Sequence, residues 1–262
     1  MKRRTFLKTT LAAAGMTGTA ATLPNTNAAN NAASREYYEI RAYTLKSPEK
    51  QALLDAYLSK AAIPALNKLG VKSVGVFAEE KPPAKPVVYV ILPYASLDLF
   101  ARAAQVWADE SLQMAGAEYL GVPATDPVYE RVESWLTLAF AGMPKMSVPT
   151  KGNRLYQLRI YESHSEKAGK KKVEMFNVGE IAIFQRVGLT PVFFGETILG
   201  PRLPNLTYML TFPNAAAKDQ AWKQFVGDSD WARLKGTPGY ADKEIVSKIT
   251  NIVLMPTPYS QL

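Results

Sequence analysis

"YEIRAYT" at residues 38–44 returns as "YQLRIYE" at residues 156–162, an offset of 118. Working outward, "GVKSVGVF" (70–77) matches "GLTPVFFG" (188–195) at the same offset. "VVYVILPY" (87–94) matches "LTYMLTFP" (206–213) at 119. Three matches in one order at a near-constant shift describe two copies of a single unit, and such a repeat has to be read before any single element.

Each copy has the same grammar. An alternating strand (38–44; 156–162) leads into a long helical segment. In the first copy Ser47-Pro48 opens that helix and Gly70 stops it after Leu69. Two β-rich segments follow (73–79 and 87–93; 191–197 and 206–212), joined by the Pro-bearing links "KPPAKP" and "GPRLPN". Helical stretches (97–120; 214–235) and a last strand (132–141; 246–255) complete each copy. The order β-α-β-β-α-β is the ferredoxin-like split. The expected organisation is a leader at 1–28, a first unit at 36–141, a linker at 142–153 and a second unit at 154–256. The fold class is therefore α+β, with two tandem ferredoxin-like units.

Period-2 reading puts Tyr38, Ile40 and Ala42 on one face of the first strand, and Tyr156, Leu158 and Ile160 on one face of its copy. These apolar sets are expected under the helices. The opposite faces carry Arg41 with Tyr43, and Arg159 with Tyr161. Those residues line an enclosed, partly polar interior if the two sheets pack together; otherwise they cover the outer face with their stems.

The 31 Lys and Arg against 23 Asp and Glu suggest a nucleic-acid binder until the N-terminus is read. Lys2, Arg3, Arg4 and Lys8 precede a short Ala/Gly/Thr-rich stretch, with Thr26-Asn27-Ala28 as the candidate cleavage site. Arg3-Arg4-Thr5-Phe6-Leu7-Lys8 resembles a twin-arginine export signal. It implies a periplasmic or otherwise exported bacterial protein, with no stable membrane span once processed. Removing residues 1–28 takes four of the 31 basic residues and no acidic one, leaving a net charge of +4. Apart from Lys170-Lys171-Lys172, read as a solvated helix start, the remaining basic residues are scattered, so nucleic acid is not expected as a partner. The chain has no cysteine, which excludes disulfides, thiolate metal sites and cysteine nucleophiles.

Two features carry candidate chemistry. His164, the only histidine, sits in Glu162-Ser163-His164-Ser165-Glu166. In extended chain the two carboxylates and the imidazole project to one side, a set able to do acid–base work or hold a divalent ion. The spacing matches no ligand motif, so no metal is assigned, and a solvated loop is the alternative. In the next helix Val173, Phe176, Ile183, Phe184 and Val187 share a face, with Glu180 near its centre and Asn177 at its edge. A carboxylate there needs a partner or a proton, with Arg159 or the His164 loop as candidate partners. Glu180 is either a general base or ligand-orienting group, or half of a structural ion pair. Ala62 holds its position in the first copy. Trp222, Phe225 and Trp231 read as packing. A small-molecule site would then use Glu180 and His164 as catalytic candidates, with Arg159, Tyr161, Glu162, Asn177, Arg41 and Tyr43 binding the ligand.

Tyr38-Glu39-Ile40-Arg41-x-Tyr43, its copy at 156–161, Phe193-Phe194-Gly195-Glu196, Leu206-Thr207-Tyr208-Met209 and Asp228-Ser229-Asp230-Trp231 resemble the NIPSNAP family. The resemblance spans roughly 36 to 256. It implies membership of the dimeric α/β-barrel superfamily, here with both halves of the barrel in one chain. That superfamily includes cofactor-free monooxygenases, haem enzymes and proteins without catalysis, and the family brings no agreed catalytic residues. "ILPYASLDLFARAAQVW" lacks the arginine the family often places early in its second helix, and Lys218-Asp219 stands there in the second copy. The cofactor stays unknown: haem is disfavoured by a histidine that follows a strand, and flavin and nicotinamide fingerprints are absent. Two functions remain open. One is an exported small-molecule binder, oxygenase-like by the resemblance; the other is a non-catalytic scaffold. A homo-oligomer is compatible with either. A pocket lined by Arg159, His164 and Glu180 would favour the first, and a filled interior with Glu180 closed off by an arginine the second.

Overall fold

The alternating segments become eight strands: β1 (Tyr37–Leu45), β2 (Gly75–Glu79), β3 (Val87–Tyr94), β4 (Tyr129–Ala139), β5 (Leu155–Glu162), β6 (Thr190–Leu199), β7 (Asn205–Phe212) and β8 (Lys248–Pro256). In this computed structural model residues 34–152 and 154–262 are described, so the export signal read at 1–28 lies outside the described residues. All pairings are antiparallel, and the strands close into one barrel in the order β1-β3-β2-β8-β5-β7-β6-β4. Each half contributes a four-stranded ferredoxin-like sheet. Two seams join them: β2 to β8 through Phe77–Glu79, and β4 to β6 through Leu136–Ala139. The C-terminal tail extends the shorter seam, where the Gln261 amide donates to the Val74 carbonyl and the Val76 amide to Ser260 Oγ.

The register makes the repeat stricter than the sequence suggested. Ile40 opposes Ile91 and Leu158 opposes Met209, so β3 and β7 also correspond at an offset of 118, one less than the sequence match. The expected long helices are interrupted at equivalent places. α1 (Gln51–Tyr57) and α2 (Ile63–Leu69) flank a π turn at Leu58–Ala62. The stretch 97–120 breaks into α3 (Leu97–Ala103), α4 (Glu110–Ala115) and α5 (Ala117–Leu120). In the second half α6 (Glu166–Met175) and α7 (Ile181–Arg186) flank a π turn at Phe176–Glu180. α8 (Ala215–Gly227), α9 (Ser229–Lys235) and α10 (Asp242–Ile245) complete that half. Gly70 ends α2 in the left-handed region at φ 104°, as its position predicted. No described helix is long and apolar enough to cross a membrane.

The two strand faces are the reverse of the expected assignment. Tyr38, Ile40, Ala42, Tyr156, Leu158 and Ile160 point into the barrel, where they pack with Phe77, Trp135, Phe193 and Met209. Tyr43 and Tyr161 instead belong to the two layers between sheet and helices. The reason is energetic. An eight-stranded barrel encloses just the volume its side chains fill, and burying each large apolar side chain there contributes roughly 1.5–3 kcal/mol. A guanidinium in that closed volume would cost several kcal/mol. Under the helices, polar partners are within reach.

Candidate functional site

The polar groups of the second half gather in the layer between β5, β7, α6 and α8. Ser165 caps α6, its side chain accepting from the Ala168 amide, and Lys172 follows two turns later. The π turn inserts one residue into the helical phase, so the eight positions from Lys172 to Glu180 span two turns and both side chains share a face. Lys172 Nζ donates to Glu180 Oε2 at 3.0 Å and to Asp242 Oδ1 of α10 at 3.0 Å. It lies 5.1 Å from the Phe176 ring, 5.5 Å from Trp231 and 5.6 Å from Tyr161. Lys172 is 1% exposed, so the solvated helix start read for Lys170–Lys172 is wrong at its third residue. Full burial pushes the Glu180 carboxyl up to about 7, outweighing the attraction of Lys172.

Beside this pair, Arg159 Nη2 donates to the Tyr161 hydroxyl at 3.0 Å, and that hydroxyl meets the Tyr208 hydroxyl at 2.9 Å. The Arg159 guanidinium lies over the Trp222 ring at 4.5 Å. Trp222 Nε1 donates to Gln157 Oε1 at 2.7 Å, and Gln157 Nε2 donates to Asn251 Oδ1 at 2.8 Å. Trp222, read as packing, is thus part of the polar layer. Glu180 makes no direct contact with Arg159 or the His164 loop, its two expected partners; Lys172 takes that place.

His164 is exposed in the turn before α6. It lines an open groove of about 550 Å³ with Lys167, Lys171, Glu174, Gly239 and Glu244, from which Arg159 and Glu180 are absent. Glu162 is half-buried, with Lys248 Nζ at 3.9 Å. Among the described residues no group of three His, Cys, Asp or Glu is placed to hold a metal. Asn177 is fully engaged: its Nδ2 donates to the Val173 carbonyl at 2.8 Å and its Oδ1 accepts from the Gly142 amide at 2.7 Å. It clamps the inter-unit segment to the helix.

In the first half, Arg41 is closed off. Its Nε and Nη2 donate to Glu39 at 2.6 and 3.0 Å, and Tyr94 and Ser134 hydroxyls donate to the same carboxylate at 2.8 and 2.9 Å. Burial alone would raise the Glu39 pKa, but these donors hold it below the usual carboxylate range. Trp107 lies 5.1 Å from the Arg41 guanidinium. Tyr43 packs in the same layer, against Tyr129. Sequence reasoning found both arginines but missed Lys172, Asp242, Tyr208 and Gln157. The signal for Gln157 was in the quoted repeat, which pairs it with Glu39.

A family model described as NIPSNAP matches residues 38–119 and 156–261. Among solved structures, a monooxygenase candidate from Fusobacterium nucleatum superimposes with a TM-score of 0.56 at 9% identity, over 86% of this chain and 93% of that one. A second monooxygenase candidate, from Lactobacillus acidophilus, gives 0.52 at 10% identity, over 85% and 94%. Chlorite dismutase from Candidatus Nitrospira defluvii gives 0.50 at 6%, over 87% and 93%. At such identities the likeness is one of fold. No curated protein matches the sequence.

Proposed function

This chain belongs to the NIPSNAP family, and from that premise we propose that it is an exported protein binding a small organic molecule in its C-terminal unit, against Arg159 and Trp222. The observation that carries the reading is where the polar groups lie. The barrel interior is packed with aromatic and aliphatic side chains, and polar groups collect under the helices of both halves. In the first, Arg41 is paired with Glu39, whereas in the second Arg159 sits among Tyr161, Tyr208 and Gln157 with no carboxylate partner among the described residues. Export rests on the twin-arginine-like opening of the chain. Oxygenase-like turnover needs a base that meets the ligand, and Glu180 is 2% exposed and tied to Lys172. Binding is therefore the activity this geometry supports.

The scaffold reading draws on the same closure, because the interior is filled and Glu180 is shut off, by a lysine rather than an arginine. Native mass spectrometry of protein from the exported fraction separates the two. We expect a chain that starts after Ala28 and carries a bound mass that Trp222→Ala or Arg159→Ala releases. Bare protein would leave the scaffold.

A further inference from the structure

The duplication supplies an internal control for the one arginine that both copies keep. Register places Gln157 where the first unit has Glu39, Phe212 where it has Tyr94, Asn251 where it has Ser134 and Tyr208 where it has Val90. The one carboxylate that neutralises Arg41 has thus been exchanged for a neutral amide, and the two hydroxyls that hold that carboxylate are gone as well. Arg159 itself is retained, and a tryptophan again lies over its guanidinium, although Trp222 comes from a different repeat position than Trp107.

The outcome is a half-buried cation lacking its counterion. Among the described residues no carboxylate lies within ion-pair distance of Arg159. The acidic group within electrostatic reach of Arg159, Glu180, is engaged by Lys172. Arg159 Nη2 is used by Tyr161, while Nε is buried with no hydrogen-bond partner. Stacking on Trp222 steadies the guanidinium, but it satisfies no N–H, and a buried donor left unmade is unfavourable. Nε itself is buried, but the rim of the site meets solvent, since Trp222 is only partly buried and Asn251, beside Arg159 on β8, is exposed.

Resting on the C-terminal site proposed above, we infer that its ligand is an anion: a small organic acid whose oxyanion supplies Arg159 with the negative charge that Glu39 supplies to Arg41 in the first unit. The oxyanion accepts from Arg159 Nε. The Gln157 and Asn251 amides offer further polar contact, and the Trp222 indole forms a flat apolar wall. A carboxylate and a phosphate share this chemistry.

The test uses the full mature chain and three probes: benzoate, its neutral isostere benzamide, and inorganic phosphate. They are titrated by calorimetry into wild type, Gln157→Glu and Arg159→Gln. Gln157→Glu rebuilds the first unit's ion pair without removing the cation. Unchanged circular dichroism of that variant shows that it still folds. We expect benzoate or phosphate to bind wild type, benzoate at least tenfold more tightly than benzamide if the anion is a carboxylate. Each substitution should weaken the anion about 10- to 100-fold. Phosphate binding without benzoate binding would assign the site to phosphate groups. No binding of either anion, or anion binding indifferent to Gln157→Glu, overturns the inference. A neutral molecule found bound in the exported protein, released by Trp222→Ala but not by Arg159→Gln, would refute the anion while leaving the binding function standing. Bare exported protein would remove both.

Discussion

Lys172 and Glu180 are the residues whose chemistry is most altered by burial. The folded carboxyl sits at about 7 against an ordinary 4.5, so the native state keeps a proton that the unfolded chain releases between those values. That contribution to stability is fully present below about 4.5 and is lost as the pH rises through 7, a loss of roughly 3 kcal/mol. Glu180→Gln should remove it. The wild-type-minus-variant difference in urea-unfolding free energy should therefore fall from pH 5 to pH 8, and parallel profiles would contradict the assignment. Lys172→Met should cost about 3 kcal/mol, because it leaves a buried carboxyl without its cation. The double variant Lys172→Met/Glu180→Gln should cost less than the sum of the two. Glu180 was legible in the sequence as a carboxylate inside an apolar stripe. Its partner was not, since counting 100° per residue carries Lys172 about 80° away from Glu180, beyond the edge of that face. Only the residue inserted by the π turn brings the two together.

At the level of elements, strand order and helix stops were written in local signals such as the Gly70 stop and the alternating runs. The π turns at Leu58–Ala62 and Phe176–Glu180 were not, because an inserted residue leaves composition and hydrophobic count unchanged. The seams were equally hidden, since they join strands distant in sequence. One of them has a strict steric condition at Gly195, which pairs with Ala139 across β4 and β6. A Cβ there would come within 2.6 Å of Thr137 Cβ, inside the backbone-anchored part of that side chain. Gly195→Ala should cost about 1–3 kcal/mol by forcing the strands apart. Gly227, the last residue of α8, has nothing within 4 Å of its built Cβ and serves as the control. Gly227→Ala should be neutral or stabilise by up to about 1 kcal/mol. Equal urea midpoints for the two variants would mean that β4 and β6 do not close the barrel at this point.

For the molecule as a whole, the duplication could be read from one offset, but which strand face turns inward could not. Alternation separates a buried face from a wet one, and here both faces of the sheet are covered, one by the opposite sheet and one by helices. Local pattern therefore ranked the apolar set correctly and put it on the wrong side. Closure also means that neither half has a complete core. Separated, each would expose the barrel-facing set, for instance Tyr38 and Phe77 or Tyr156 and Phe193, together with the two strand edges its partner now pairs. The segment between the units is itself docked, the Met146 amide on Glu36 and the Ser147 amide on the Val192 carbonyl, whereas Lys151 and Gly152 are exposed. A chain divided between Lys151 and Gly152 should thus lose little beyond its covalent tether. Co-expressed, the two pieces are expected to form a one-to-one complex with the circular dichroism of the intact protein. Expressed alone, each should self-associate through its open edges and bared apolar face. Light scattering after size exclusion reads both outcomes. A half that stays monomeric and melts cooperatively by itself would mean that the enclosed interior is not what holds the fold together.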